Sequence, residues 1–375
     1  MAKTRKDAYK RLTHIAIVLA VLALIFGGAW FFLDSQSKSQ LTSAQNAVEQ
    51  TNSELVRQHS EAVAEYQATL ATNSVVERPQ PNGIGLEVVD LTGFALTSPR
   101  TVTVTRNELL EGGMLLLNRW HSLPSDFPEE HIVSILSVSK TIPVSGSSVR
   151  LFPVAIDAIT EMLNAAAEDG FENYLIEEGY RTMAQQTENY QKEEAKYTSR
   201  LTGDALIEKV IQSVNYPGTS EYQSGFSFRI HKWRKDDSAF NAEKFEASGH
   251  SDWLLDNGWR YGIIFRFPVI GYPNTSVVDK SFKTGESKRL RIYRYVGKAN
   301  AAVMHSMDFC MEEYIEYLAQ HPHIAVYEDG VLKYEIVRTS GGDTTADVNV
   351  SVTSNCVSYT ASTDNMGGII VAMEY

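Results

Sequence analysis

Two cysteines in 375 residues permit one disulfide at most, so a chain of this length must hold its fold with a buried apolar core rather than with cross-links. Cys310 lies in MHSMDFCMEEYIEYL, where Val303, Met307, Cys310, Tyr314 and Leu318 recur at helical spacing. That pattern predicts a buried core thiol, and a Cys310–Cys356 bridge stays open. Basic charge is also scarce. Lys and Arg number 34 against 46 Asp and Glu, a net −12 that excludes a nucleic-acid binder, because a phosphate backbone selects basic surfaces. Eleven prolines and 24 glycines are too few for a collagen-like or low-complexity chain. There is no H-E-x-x-H and no C-x-x-C, and no histidine falls between His131 and His231 or between His250 and His305. The usual spacings of a metal site are therefore missing.

Long apolar runs are absent with one exception, Ile15 to Leu33, which carries no charged side chain. As a helix these residues span about 28 Å, the thickness of a bilayer's hydrocarbon core. The first thirteen residues hold five Lys and Arg against one Asp, a net +4, which leaves −16 for the rest. Trp30, Phe31 and Phe32 close the far end of the run. Basic residues on one side and interfacial aromatics on the other predict a single-pass anchor in the cell membrane, with everything after it extracytoplasmic. A cleaved signal peptide would be shorter and would end in small residues. The expected organisation is a cytoplasmic basic tail (1–13), a transmembrane helix (14–33), a helical stalk and linker (34–82), a main domain (83–325) and a C-terminal β extension (326–375). Leu41, Val48, Leu55 and Ala62 are spaced by seven, which leaves room for a stalk-mediated dimer. Pro79, Pro81 and Gly83 end the stalk.

Within the main domain the pattern is mixed. TVTVT (101–105) alternates as a strand does, and the apolar stretch that follows it reads as a second strand. Leu151 to Ala167 reads as an amphipathic helix, and Thr182–Tyr197 and Ser251–Asp256 as two further helices. Residues 263–272 read as a strand, Ala299–Leu318 as one long helix, and the last fifty residues as β-rich.

Four segments in order carry a resemblance: LLLNRWHSLPSDF (115–127), EEGYRTMAQQ (177–186), PGTSEYQSGFSFRI (217–230) and RLRIYRYVG (289–297). The last three resemble the SGYRS-x-x-x-Q, P-G-x-S-E-H-Q-x-G-x-A-x-D-I and E-P-W-H-x-R-Y-V-G segments of VanY-type D-alanyl-D-alanine carboxypeptidases. The resemblance implies an α+β fold, an antiparallel sheet with packed helices, here preceded by the transmembrane helix and stalk. It also implies a zinc ion held by two His and one Asp, with a Glu as general base, because three protein ligands leave an open position where zinc acidifies a bound water.

Carried across, those four positions are Tyr222, Arg229 and Ile292 for the ligands and Arg289 for the base. Ile292 has no lone pair, and guanidinium does not deprotonate in a protein. The expectation is a degenerate member with no catalytic residues, no metal and no cofactor. Arg181, Gln186 and Ser220 match the substrate end of the family's cleft and, with Arg229 and Arg289, are the candidate ligand-binding residues. A metal-free arginine cluster suits a carboxylate, most plainly that of a peptidoglycan stem peptide in a Gram-positive cell wall. Alternatively Arg229 and Arg289 pair with Glu177, Glu178 and Glu221 in a collapsed site, and the partner is an envelope protein. Two further alternatives are an active zinc peptidase with relocated ligands among His231, His250, His305, Asp236, Asp237 and Asp252, and a purely structural envelope component.

Overall fold

The computed structural model describes residue 40, residues 43–63 and residues 77–375. The expected anchor at 14–33 lies outside them, and among the described residues no helix is long and apolar enough to cross a membrane. The chain divides into Met1–Glu77 and Arg78–Tyr375. In the first unit residues 43–63 are helical, with Val48 and Leu55 exposed. Arg57 pairs with Glu54 and Glu61 at 2.5 Å each, the i−3 and i+4 spacings that support an exposed helix. Leu41 of the heptad seam lies outside the described residues.

The second unit opens with β1 (Leu86–Asp90) and β2 (Pro99–Val104). A short pair follows, β3 (Val133–Ser134) with β4 (Arg150–Leu151). Next come β5 (Tyr174–Glu178), β6 (Ser227–Lys232), β7 (Ile263–Phe265) and β8 (Tyr293–Tyr295), which form an antiparallel sheet in the order β5-β6-β8-β7. The chain ends in β9 (His323–Glu328), β10 (Val331–Ser340), β11 (Val348–Thr353), β12 (Ser358–Thr363) and β13 (Gly368–Glu374). The expected α+β class with antiparallel sheets and packed helices is what the structure has.

The Pro153–Glu168 helix covers the β5-β6-β8-β7 sheet. Pro153 suits its first turn, where no N–H is needed, and Ile156, Ile159 and Met162 fall on one face at helical spacing. They pack with Ile176, Phe228, Ile230 and Tyr293. A second core joins the Lys298–Met307 and Met311–Gln320 helices to a five-stranded sheet, β1-β9-β10-β13-β12.

The structure departs from the sequence expectations in four places. The apolar stretch after β2 is a helix, Arg106–Glu111, capped reciprocally by Thr105 and Glu108, followed by extended chain in no ladder. Side chains satisfy its backbone instead: Met114 N–H donates to Ser362 Oγ at 2.9 Å, and the Gly113 and Leu115 carbonyls accept from Arg294 at 2.7 and 2.9 Å. The strand expected over 263–272 stops at Phe265, because Pro268 cannot extend a ladder. The helix expected over 299–318 breaks at Asp308, whose φ of 51° is left-handed, and restarts where Glu313 accepts from the Cys310 N–H at 3.0 Å. Cys310 is buried as expected, and both cysteines are free thiols. Finally, β1 pairs with β9 and β2 with β11, so the boundary placed at 325/326 falls inside β9, and residues 86–104 share their ladders with the C-terminal strands.

Candidate functional site

The site forms where β5, β6 and the chain leading into β8 converge, around an open cleft of about 550 Å³. A 3-10 turn, Glu221–Ser224, brings Tyr222 to it and ends at Gly225, whose φ is 76°. A Cβ there would lie 2.7 Å from the Phe152 ring, so only glycine lets this turn seat on the helix below. The Arg181 N–H donates to the Tyr222 carbonyl at 3.0 Å, tying the two family-like segments together. Thr182 and Gln185 cap the Met183–Glu194 helix reciprocally, which fixes Gln186 as a fully buried residue whose Nε2 donates to the Asn215 carbonyl at 2.7 Å. Ser220 is buried on the cleft wall.

At the four positions that the sequence resemblance aligns with the family's zinc ligands and base, the structure has the following side chains. Tyr222 and Ile292 are buried together with Phe267, and Leu290 packs against them, making a small apolar plug. Burial pushes the Tyr222 phenol well above its ordinary value, so it stays protonated. Arg229 stands in β6 opposite Glu178 of β5. A bulge between Ile176 and Glu178 lets two consecutive carboxylates approach it, Glu177 at 3.1 Å and Glu178 at 3.7 Å. Arg289 is exposed at the mouth, donating to the Ile270 carbonyl at 3.3 Å with its guanidinium 5.8 Å from the Tyr272 ring centroid. An apolar side chain, a protonated phenol and two permanent cations supply no ligand set for a divalent cation, so zinc does not fit these residues. Among the described residues no three His, Cys, Asp or Glu side chains are gathered to hold a metal elsewhere. His231, His250 and His305 are each pushed below their ordinary value first by burial, and His231 next by Arg291.

The collapsed-site alternative holds for Arg229 and fails for Arg289, which has no ion pair among the described residues. Glu221 takes different partners. It is buried with Arg266, Arg294 and Glu312 in a closed network of two carboxylates and two guanidiniums. Arg266 donates to Glu221 at 3.0 Å and bidentately to Glu312 at 2.9 and 2.7 Å, while Arg294 and Ser227 also donate to Glu221. Burial raises the Glu221 carboxyl, and the two guanidiniums overcome that to leave it below its ordinary value. Sequence reasoning missed Glu246, which faces Arg291 at 3.6 Å and accepts from the Tyr272 hydroxyl at 3.0 Å. It also missed Phe267 and Leu290 of the plug. No motif marks these residues, which meet only in the folded chain.

The expected ligand contacts are brought together but are not equally free. Arg181 Nε donates to Glu178 at 2.7 Å, its Nη2 lies 2.5 Å from the same carboxylate, and its Nη1 donates to Gln186 at 3.2 Å. Arg291 lies 3.5 Å from Glu177.

Residues 148–281 match the family model for VanY, D-alanyl-D-alanine carboxypeptidase. The matched span includes Tyr222 and Arg229 and ends before Arg289 and Ile292. Over 274 residues the chain is 27% identical to a D-alanyl-D-alanine carboxypeptidase of Enterococcus faecium, covering 72% of this chain and 78% of that protein. Over 205 residues it is 27% identical to VanXYC of Enterococcus gallinarum, a bifunctional D-Ala-D-Ala dipeptidase and carboxypeptidase, covering 55% of this chain and 94% of that one. The solved structure of the vancomycin-resistance D,D-dipeptidase VanXYg, in complex with a D-Ala-D-Ala phosphinate analogue, aligns with a TM-score of 0.56 at 19% identity. That alignment covers 74% of this chain and 100% of the other, a likeness of fold.

Proposed function

From the premise that the chain belongs to the VanY family, we propose that it is a catalytically inactive, membrane-anchored member that binds the carboxylate end of peptidoglycan stem peptides without cutting them. One observation carries the loss of catalysis: the positions that would ligate zinc are a plug of Tyr222 and Ile292 beside the paired cation Arg229. Hydrolysis of a peptide by this family's chemistry needs a metal-activated water and a carboxylate to take its proton, and here Arg289 stands in place of that carboxylate. Binding is supported by what survives, an open cleft with Gln186 and Ser220 still on its wall and Arg289, unpaired among the described residues, at its mouth. Relatives named for D-Ala-D-Ala substrates point to the same ligand class. The uncharged run at 15–33 behind a +4 tip supports a single-pass anchor with the domain outside the cytoplasm.

The test uses the full chain in detergent. Elemental analysis is expected to find no stoichiometric zinc, and a D-Ala-D-Ala-terminated pentapeptide is expected to survive overnight incubation with added zinc while giving heat in a calorimetric titration. One zinc per chain together with release of D-Ala overturns the inactive reading. No heat at millimolar peptide leaves an envelope scaffold instead.

A further inference from the structure

Four guanidiniums face the cleft, Arg181, Arg229, Arg289 and Arg291. Three carboxylates answer them. Glu178 takes Arg181 and shares Arg229 with Glu177, and Glu177 and Glu246 hold Arg291 at 3.5 and 3.6 Å. His231, the other titratable group against Arg291, is kept neutral by burial and by that cation. Lys288 on the rim is matched by Glu286 at 3.2 Å, Lys192 by Glu188 at 2.6 Å, Glu193 by Lys196 at 2.5 Å, and Glu221 is neutralised within its buried network with Arg266, Arg294 and Glu312. The balance is one uncompensated positive charge, and it sits on Arg289, which has no carboxylate partner among the described residues and spends a single N–H on the Ile270 carbonyl.

Arg181 is in the opposite state. All three of its nitrogens are engaged by Glu178 and Gln186, and its flat face is covered by the Tyr222 ring, 4.2 Å from centroid to guanidinium carbon. A ligand carboxylate arriving at Arg181 would have to displace Glu178 from a bond of its own kind, with nothing gained. At Arg289 it meets a cation with most of its five donors unspent.

Resting on the reading that the cleft binds a peptide's carboxylate end, we infer that Arg289, at the position of the lost general base, has become the contact for that carboxylate, in place of Arg181. The site is matched to a monoanion. A free C-terminal carboxylate cancels the single surplus charge, and the planar fork of Arg289 accepts it bidentately. The Tyr272 ring beneath Arg289 positions the guanidinium at the mouth, and Glu246, bonded to the Tyr272 hydroxyl, positions that ring.

The experiment titrates N-acetyl-L-Lys-D-Ala-D-Ala and its C-terminal amide into the full chain and reads the ratio of their affinities. The wild-type chain is expected to prefer the acid by about tenfold, the worth of one charge-assisted contact. R289Q, a substitution of an exposed side chain, is expected to bring the ratio to about one. R181K keeps the charge balance but loses the fork, and is expected to leave the ratio within about twofold of wild type. A ratio that survives in R289Q and collapses in R181K overturns the assignment while peptide binding stands. Absence of binding by either peptide to the wild-type chain overturns the assignment and the binding reading together.

Discussion

The guanidinium of Arg181 lies over the ring of Tyr222, 4.2 Å from its centroid, so the residue that the resemblance aligns with a zinc ligand is the floor under the one it aligns with a substrate contact. A planar cation on an aromatic face is worth about 1 kcal/mol when partly desolvated, beyond the ring's own burial. Tyr222→Leu, which keeps an apolar plug, should lower unfolding stability by about 1 kcal/mol, whereas Tyr222→Ala should cost about 3 kcal/mol by leaving a cavity. Urea denaturation followed by tryptophan fluorescence checks both. A Tyr222→Leu variant as stable as the wild-type chain would mean that the ring's contact with Arg181 adds nothing.

Placing the family's donor types at the four aligned positions tests the proposal that these residues exclude a metal. Tyr222→His, Arg229→Asp, Ile292→His and Arg289→Glu together recreate three ligands and a base at the four family positions. The quadruple variant should take up about one zinc per chain, and the wild-type chain none, by elemental analysis after dialysis. A variant that folds by circular dichroism and stays metal-free would show that the surrounding cleft, and not these four positions, has lost the capacity.

The Glu221, Arg266, Arg294 and Glu312 network predicts an acid-sensitive fold. Glu221→Gln leaves the buried Arg294 with no carboxylate partner among the described residues and Arg266 with Glu312 alone, and should cost about 3–5 kcal/mol. The sign of the pH effect follows from the Glu221 carboxyl lying below its ordinary value of 4.5 in the folded chain. Its contribution is fully present above that ordinary value and is lost as pH falls through the lower folded value, because the unfolded chain binds the proton first. Thermal melts between pH 7 and pH 3 should show stability falling steeply below about pH 4.5 in wild type and less steeply in Glu221→Gln. Parallel curves would assign the acid sensitivity to other carboxylates.

The two cysteines should behave as separate thiols. Burial pushes the Cys310 thiol up to about 12, so it holds almost no thiolate at neutral pH, while Cys356 is half-buried. Ellman's reagent should label Cys356 in the native chain and both residues only in denaturant, and the melting temperature should not change with dithiothreitol. Rapid labelling of two thiols in the native state would contradict the burial of Cys310.

Local signals made much of this fold legible in the sequence. The helical spacing of Ala158, Ile159, Met162 and Ala166 announces their helix, although Val154, which shares that spacing, is exposed; TVTVT announces β2, and the ordered segments point to Tyr222, Arg229, Arg289 and Ile292 as the positions to inspect. What stayed hidden is whatever depends on distant parts of the chain meeting. Tyr222, Phe267 and Ile292 make one plug from three separate segments, and nothing in their local spacing shows it. Arg229 and Arg289 look alike in sequence, and only the bulge in β5, which brings Glu177 and Glu178 to Arg229, decides which arginine is paired and which is left over. The break at Asp308 escapes because its left-handed turn interrupts an apolar pattern that continues on both sides. The strand expected after β2 fails because Arg294, almost two hundred residues later, takes the carbonyls a neighbouring strand would have bonded, at sequence separations of 181 and 179.

The pairing of β1 with β9 and of β2 with β11 bears on how the chain is made. Thr103 and its partner Asn349 are 246 residues apart, so β2 leaves the ribosome long before its partner exists. At synthesis rates of about 5–20 residues per second, the first two strands wait on the order of 10 to 50 seconds with unpaired edges. Until the last fifty residues arrive, those edges are open to pairing with a neighbouring copy.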